Sequence, residues 1–343
     1  MQHPLLYLGL LGFDAASEAE VRRWLATNAE QGLAGSHVNY PVWQVVDFRE
    51  ADALLIRGAG VAQGFGSYLQ FLPALQASQP NAPLGVDLAA MKLPFALSDA
   101  EHLQALGLQI KAWPTFHIHQ ESSMLKTMQR FETILRPLRS LFMLAVELAE
   151  RKQDLDKQHT YHLERNGNLD AIIDVPKRRV LMRPSTRPVD ISEDAWLARP
   201  KSANFAPPDF VECSLDEVGW VFATHCLDFE LPKRYLSNPI HILHNPRVRN
   251  SMLYPRHTAL IDQLWHHPTS LEQLEKQCSE RSNWLQRDLY ALYLTRCIST
   301  QKPSVQDGEA SSLPGSFNDT SPWVLQRLSK RMNTLAGELQ SLF

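Results

Sequence analysis

Apolar positions in the first part of the chain switch between two periodicities. Continuous apolar runs, typical of strands buried on both faces, occur at residues 5–11, 43–46, 53–56, 84–86 and 108–110. Apolar residues at helical spacing follow Ser17 and recur at residues 68–75 and 98–106. Strands that alternate with helices form a parallel sheet covered on both faces, so this pattern predicts an α/β domain over residues 1–121.

Residues 122–159 carry one long helical pattern that we expect to link the first domain to the next. Its apolar side is formed by Leu125, Met128, Phe131, Leu135, Leu138, Phe142, Leu144 and Leu148. Pro137 should kink or break this helix, because proline lacks an amide hydrogen and its ring clashes with the preceding turn.

Residues 160–250 predict a small α+β middle domain. Asn166 and Gly167 stand between two apolar runs, which is a strong signal for a two-residue hairpin loop. Residues 180–182 predict a third strand. Ser214 and Glu217 have the spacing of a capping box, which opens a helix through Cys226.

Residues 251–300 predict a mainly α, winged-helix-like domain. One apolar helix face includes Leu260 and Leu264, and two more short helices begin at Ser270 and Ser282. A strand follows at residues 297–299. Residues 301–321 have the composition of a flexible linker, and residues 322–343 return to the pattern of an amphipathic helix.

Composition limits the classes of function. The 343 residues are 44% hydrophobic and 21% charged, the balance of a globular protein with real cores. The net charge of -3 disfavours a chain that coats nucleic acid through a broad basic surface. No run approaches the roughly 20 apolar residues of a spanning helix, and no positive region precedes the first apolar run. Four widely spaced cysteines indicate reduced thiols, so we expect a cytoplasmic protein without membrane insertion.

The end of the first domain carries a further pattern. Gly107 precedes the last predicted strand, Pro114 follows it, and the long helix comes next. This segment resembles the end of a response-regulator receiver domain, whose sheet is flavodoxin-like and parallel. The resemblance implies a domain that contacts a partner through its last helix or an edge of its sheet.

The residues that carry phosphorylation in receivers are missing here. A receiver has an acidic pair after its first strand, where this chain has Asp14. It has an aspartate nucleophile after its third strand, where Arg57 follows Ile56, and a lysine before its last proline, where Trp113 stands. The resemblance therefore implies a degenerate pseudo-receiver. A generic α/β domain with no signalling ancestry is the alternative.

Arg57 is also a candidate anion contact. It precedes Gly58 and Gly60 after a predicted strand, and glycine-rich turns that lead from a strand into a helix can hold phosphate. The spacing matches neither G-x-G-x-x-G nor a Walker A motif, so a plain turn is the competing interpretation.

Arg178, Arg179 and Arg183 form a second basic group. Together with Asp190-Ile191-Ser192 they resemble the cyclic-di-GMP motifs of PilZ domains, in which arginines bind phosphate and stack on guanine. The two parts lie too close together for the strands of such a barrel. The exposed side of a strand and its turn is the competing interpretation.

The third short helix of the winged-helix-like domain would be its recognition helix. Asn283, Gln286, Arg287 and Tyr290 are its candidate contacts to DNA or to a protein partner, and Arg256 is a further candidate for phosphate contact. Glutamate and aspartate residues around this helix dilute its positive charge, which favours protein docking over DNA.

Motifs of a catalytic triad, a metal site or a cofactor site are not recognised. The sequence therefore predicts a non-catalytic regulatory or scaffold protein, without a cofactor, that recognises a protein partner in bacterial signalling. A DNA-binding transcriptional regulator and a cyclic-dinucleotide effector are the alternatives.

Overall fold

The computed structural model describes residues 3–31, 41–73, 75, 83–108, 113–151, 155–199, 207–277 and 282–302. The chain divides into two compact units, Met1–Arg139 and Ser140–Phe343. Within the described ranges, no helix is long and apolar enough to cross a membrane. A further division of the second unit near residue 250 stays a prediction.

The first unit contains seven described strands and three complete helices. The strands are β1 (Leu5–Leu11), β2 (Val42–Val46), β3 (Ala53–Arg57), β4 (Val61–Phe65), β5 (Tyr68–Phe71), β6 (Gly85–Asp87) and β7 (Phe95–Ser98). The helices are α1 (Ala15–Gln31), α2 (Ala100–Ala105) and α3 (Glu121–Ile134).

Four of these strands form a parallel sheet in the order β2-β1-β3-β7. Successive side chains of a strand point to opposite faces, so each face of the sheet has its own core. On one face Leu8 and Leu55 pack with residues of α1 and α3, including Phe131. On the other face Leu54 and Ile56 pack with residues of α2 and of a second sheet. The predicted α/β domain with a parallel sheet is confirmed at this level.

The second sheet is antiparallel, with the order β4-β5-β6, and it corrects two predicted elements. The predicted helix at residues 68–75 begins as strand β5, because its side chains alternate between exposed Tyr68 and Gln70 and buried Leu69 and Phe71. The predicted strand at 84–86 belongs to this small sheet, as β6. The fourth parallel strand is β7, where the sequence analysis predicts no strand. Residues 109 and 110 of the predicted fifth strand lie outside the described residues.

The long helical pattern at 122–159 is interrupted, as Pro137 predicts. Helix α3 ends at Ile134 with Leu135 as its C-terminal cap, and helix α4 (Arg136–Glu150) begins directly afterwards. Pro137 lies in the first turn of α4, where its missing N–H breaks no intrahelical bond. The second half of α4 belongs to the core of the second unit, and the ring of Phe142 stacks on Phe222 with centroids 5.5 Å apart.

The second unit is built on a five-stranded antiparallel sheet in the order β11-β8-β9-β10-β12. The strands are β8 (Thr160–Arg165), β9 (Asn168–Asp174), β10 (Arg179–Met182), β11 (Ala195–Arg199) and β12 (Val211–Ser214). The predicted hairpin joins β8 to β9. Asn166 and Gly167 have φ angles of 50° and 78°, and a type I′ hairpin turn requires a positive φ at both of its central residues.

Helices fill the rest of the described second unit. They are α5 (Pro188–Glu193), α6 (Leu215–His225), α7 (Arg234–Ser237), α8 (Pro255–His266), α9 (Leu271–Gln277) and α10 (Ser282–Leu294). Ser214 and Glu217 cap α6 reciprocally, as predicted. Two short strands pair antiparallel: β13 (His241–Ile242), which lies between α7 and α8, and β14 (Ile298–Ser299), which follows α10.

The winged-helix interpretation stays a prediction. Its three helices and its strand correspond to α8, α9, α10 and β14. Of the predicted linker at 301–321, the structure describes only residues 301 and 302. The whole predicted helix at 322–343 lies outside the described residues.

Candidate functional site

Loops after β1, β3 and β7 meet at the carboxyl end of the parallel sheet. Gly12 has a φ of +75°, and a Cβ on Gly60 would lie 2.1 Å from the Gly12 carbonyl oxygen. The two loops can approach so closely because both residues are glycine. The glycine-rich turn does not lead into a helix as predicted. A short 3-10 turn, Gly58–Gly60, leads into strand β4.

Arg57, the last residue of β3, is enclosed by polar groups at this end of the sheet. Its Nη1 donates hydrogen bonds to Asp14 Oδ2 and, over 2.5 Å, to Ser17 Oγ. Its Nε lies 3.7 Å from Asp99 Oδ2, and 20% of its side chain is exposed. The guanidinium charge is therefore flanked by two carboxylates of the same unit, which compete with any external anion.

Asp99 fixes the loops after β3 and β7 to each other. Its Oδ2 accepts hydrogen bonds from Ser98 Oγ over 2.8 Å and from the backbone N–H of Ala59 over 3.3 Å. Asp99 itself has a φ of 51°, a left-handed conformation that aspartate tolerates better than most side chains. The loop geometry around Arg57 is therefore held on both sides.

The carboxylate of Asp14 favours its ionised form. The backbone N–H of Ser17 donates to Asp14 Oδ1 over 2.8 Å and lowers the pKa of Asp14, and hydrogen bonds from the Ser17 hydroxyl and Arg57 add to this effect against partial burial. The ion pair with Arg57 therefore persists at neutral pH. The ionised carboxylate of Asp14 is therefore already paired with the guanidinium group of Arg57.

The turn between β9 and β10 places Arg178 and Arg179 side by side. Arg178 has a φ of 53°, and its Nη2 donates to Asp216 Oδ1 over 2.6 Å. Arg179 Nε donates to Asp174 Oδ2 over 3.1 Å. Both residues line an open depression of about 490 Å³.

Arg183 lies outside this depression. Arg179 and Arg183 are four residues apart, about 13 Å along an extended strand. Arg183 Nε is 3.4 Å from Asp209 Oδ2, and its guanidinium group lies 5.6 Å from the centre of the Phe210 ring. The structure brings Arg178 and Arg179 together and leaves Arg183 apart, while a dinucleotide site of all three stays a prediction.

Two more basic residues of the depression were not singled out from the sequence. Arg247 and Arg249 come from the extended segment between β13 and α8, and both are exposed. Their alternate spacing places them on one side of an extended chain, which is the signal that the sequence offers. Their approach to Arg178 and Arg179 depends on long-range folding, which local periodicity does not show.

The predicted recognition helix, α10, holds three of its four candidate side chains against its own unit. Gln286 Nε2 donates to Glu275 Oε1 over 2.7 Å. Arg287 Nη2 donates to the carbonyl of Cys226 over 3.3 Å. Tyr290 is 1% exposed, so a contact from its side chain would require α10 to move. The side chain of Asn283 lies outside the described part of the structure.

A buried charged cluster joins α8 to α10. Arg256 Nε donates to Asp288 Oδ2 over 2.9 Å, and His257 Nε2 contacts Asp288 Oδ1 at 2.9 Å. The backbone N–H of Tyr254 donates to His257 Nδ1 over 3.0 Å, which favours the tautomer that carries its proton on Nε2. The Arg256 side chain is 8% exposed, so a phosphate contact from Arg256 would require its pair with Asp288 to separate, and this contact stays a prediction.

Within the described ranges, no group of three or more histidine, cysteine, aspartate or glutamate side chains is arranged to hold a metal ion. Comparison with known proteins finds no family model, curated protein or solved structure that matches the chain. Functional inference therefore rests on the residues and geometry of this chain.

Proposed function

We propose that this protein is a non-catalytic regulatory or scaffold protein that recognises another protein in a bacterial signalling pathway. One observation carries the proposal, namely an exposed aromatic pair on the small antiparallel sheet of the first unit. Phe65 is 69% exposed and lies directly opposite Tyr68, which is 41% exposed.

The strand pattern separates this outer face from the core. In β5, Leu69 and Phe71 point inward and are 1% and 5% exposed, while Tyr68 points outward. Leu72, two residues beyond Gln70, adds a further side chain that is 40% exposed. Gln70 separates Leu72 from the aromatic pair, so the adjacent side chains of Phe65 and Tyr68 are the apolar centre of this face. Exposed apolar patches can mark interaction sites, and aromatic residues are enriched at the centres of interfaces.

Tyr68 is held in a defined position on this face. A Cβ on Gly85, in the neighbouring strand β6, would lie 2.2 Å from Tyr68 Oη. The tyrosine ring therefore lies across the glycine, where a larger residue would displace it. A ring that is already ordered loses little conformational entropy when a partner covers it.

The order of the parallel sheet supports a receiver-like origin of the first unit. The order β2-β1-β3-β7 places the second strand of this sheet at its edge, followed by the first, the third and the fourth, which is the flavodoxin-like order. Thr115 forms a parallel bridge with Leu97 of β7, at the position of a fifth strand. The small sheet occupies the connection between the third and fourth strands, where a doubly wound fold has a helix. Arg57 stands where a receiver has the aspartate that accepts phosphate. This supports a pseudo-receiver that recognises a protein partner and is not phosphorylated.

The DNA-binding alternative has less support. Arg287, its main candidate base contact, lies over the rings of Phe229 and Trp284, with its guanidinium carbon 5.1 Å and 5.6 Å from their centres. The hydrogen bond to the Cys226 carbonyl adds to this packing. Binding DNA through Arg287 would require these contacts to be exchanged for contacts to a base or a phosphate.

The proposal is tested with the full-length protein as bait in native lysate, with and without nuclease. The bait is compared with the Phe65→Ser/Tyr68→Ser variant. The matched control is Trp265→Ser, which removes an aromatic side chain that is 56% exposed in the second unit. We expect a protein that the wild type and the control retain after nuclease treatment and that the double variant loses. Retention of nucleic acid alone, or equal retention by the double variant, would contradict the proposal.

A further inference from the structure

An open groove of about 700 Å³ follows the outer face of α8. Six of its lining residues belong to α8, and the seventh, Asn245, comes from the segment after β13. Five of the six are exposed and recur at helical spacing, at positions 255, 258, 259, 262 and 265. The side chain of Trp265, which is 56% exposed, is the largest of them. This face, the α8 groove, is a strip about 15 Å long that suits an elongated partner.

The charge of the α8 groove is negative. Among the lining residues that the structure describes, the only charged one is Asp262, whose side chain is 79% exposed. Pro255, Ala259 and Trp265 supply apolar surface on both sides of it along the helix. A partner that carries basic residues next to an apolar stripe would therefore complement the groove.

Residues 322–343, the tail segment, have this combination. In a helix, its large apolar residues form a single stripe about 100° wide, made by Val324, Leu325, Leu328, Met332, Leu335, Leu339 and Leu342. Arg327 and Arg331 border that stripe on one side, one helical turn apart. Amphipathic helices with this spacing bind apolar grooves through the stripe, and their flanking charges fix the orientation.

The described chain passes close to the groove before the tail segment begins. Strand β14 pairs with β13, and Ser299 lies opposite His241. Asn245 follows His241 by four residues, so it lies at most about 14 Å from His241 and about 20 Å from Ser299. Residues 303–321 then connect to the tail segment, and a flexible chain of that length has a mean span of about 25 Å. The tail segment can therefore reach the groove of its own chain.

This connection favours the chain's own tail segment over that of a second copy. A flexible linker of such length gives an effective concentration of about one millimolar at the groove. A second copy present at micromolar concentration would have to bind about a thousandfold more tightly to compete. A shallow groove with one large aromatic side chain is therefore sufficient for an intramolecular contact, whereas a separate helix would need a larger surface.

We infer that the tail segment docks as an amphipathic helix in the α8 groove of its own chain. Its apolar stripe covers Trp265 and Ala259, and Arg327 or Arg331 lies near Asp262. The docking is independent of the proposed recognition surface in the first unit, which contains neither α8 nor the tail segment.

The inference is tested in the full-length chain with a bimane fluorophore that tryptophan quenches on contact. The background is Cys278→Ser/Trp323→Phe, and the label is attached in separate chains at Ser329→Cys and at Gln340→Cys. These positions lie about 16 Å apart along a helix, so one of them comes near Trp265 in either direction of docking. We expect Trp265→Phe, which keeps an aromatic ring but removes the quencher, to raise the intensity at least about 1.5-fold in one of the two chains, because most tail segments are docked.

Two tail variants separate docking from chance contact. Leu328→Asp/Met332→Asp places charges in the apolar stripe and should raise the intensity as far as Trp265→Phe does. Gln326→Asp/Asn333→Asp is the matched control, since it adds the same charge on the opposite side of the helix, and it should leave the quenching unchanged. The quenching should also be the same at all protein concentrations, because the contact is within one chain.

Three results would overturn the inference. The first is an intensity that Trp265→Phe leaves unchanged at both label positions. The second is equal behaviour of the two tail variants. The third is quenching that rises with protein concentration, which would assign the groove to a second copy of the chain.

Discussion

Arg57 donates a hydrogen bond to Asp14, so an ion pair joins the end of β3 to the loop after β1. In open α/β sheets this carboxyl end is the usual place for a ligand. Here the chain places its own cation there, next to Ser17 and 3.7 Å from Asp99. The pair both fixes the edge of the sheet and removes the free acidic group that phosphate chemistry would need.

Replacing Arg57 should therefore affect stability. We expect Arg57→Met to lower the free energy of unfolding by about 1–2 kcal/mol, because a partly buried charge pair and its hydrogen bonds are lost. Urea unfolding followed by circular dichroism measures the change. Arg22→Met is the control, since Arg22 pairs with Glu18 on an exposed helix face and should cost less than about 0.5 kcal/mol. Equal effects would show that the Arg57 pair contributes nothing beyond a surface contact.

The Asp288 cluster should be the most sensitive polar position of the second unit described here. Asp288→Asn leaves Arg256, whose side chain is 8% exposed, without its full counter-charge, and we expect a loss of about 3–5 kcal/mol in unfolding free energy. Asp262→Asn removes a carboxylate that is 79% exposed on the neighbouring helix and should change stability by less than about 0.5 kcal/mol. Thermal unfolding of both variants distinguishes the two cases, and a mild effect at Asp288 would contradict the structure.

Asp194 should make stability depend on pH. Its side chain is buried, with Arg165 Nε 3.9 Å away, and burial followed by the nearby charge of Asp170 raises its pKa to about 7. The folded state therefore keeps a proton that the unfolded state has released above about pH 4. Stability from this group is fully present below that pH and declines until the pH passes about 7.

Asp194→Asn should remove this decline. Relative to the wild type, we expect the variant to gain about 1–3 kcal/mol in unfolding free energy between about pH 5 and pH 8. Urea unfolding at both pH values gives the comparison. Asp209→Asn, which removes a carboxylate that is 59% exposed, serves as the control. A variant that follows the pH dependence of the wild type would contradict the raised pKa of Asp194.

The buried thiols should react slowly. Burial raises the pKa of Cys213 and Cys226 to about 12 and that of Cys297 to about 11. At about pH 8 these groups are almost entirely protonated, and the thiolate is the reactive form. In a Cys278→Ser background, a thiol reagent should label the native chain at least about a hundredfold more slowly than the urea-unfolded chain. Rapid labelling of a native thiol would show that one of them is activated.

The predictable parts of the fold are those with a local signal. Asn166 and Gly167 require a turn that matches a hairpin, and Ser214 and Glu217 satisfy the first amide groups of a helix. The apolar run of β1 is long enough to indicate a buried strand. In each case neighbouring residues determine the backbone conformation, so the sequence pattern is sufficient.

The parts that the sequence does not reveal depend on distant contacts. Apolar residues between Tyr68 and Leu72 fit a helical spacing as well as a strand, and pairing with β4 and β6 decides between them. Arg247 reaches Arg178 through the fold of the second unit, and Tyr290 is buried by Phe229 and its neighbours. Residue type alone therefore suggested a surface role for Tyr290 and gave no reason to select Arg247.

The most direct test of the proposed function is the affinity of the purified chain for the protein it retains from lysate, measured at low and high salt by biolayer interferometry. We expect Phe65→Ser/Tyr68→Ser to weaken binding at least about a hundredfold, because two interface aromatics are lost, and salt to have little effect. Arg287→Gln should bind like the wild type. Unchanged affinity of the double variant, with a steep loss in salt and in Arg287→Gln, would contradict the account and assign recognition to α10.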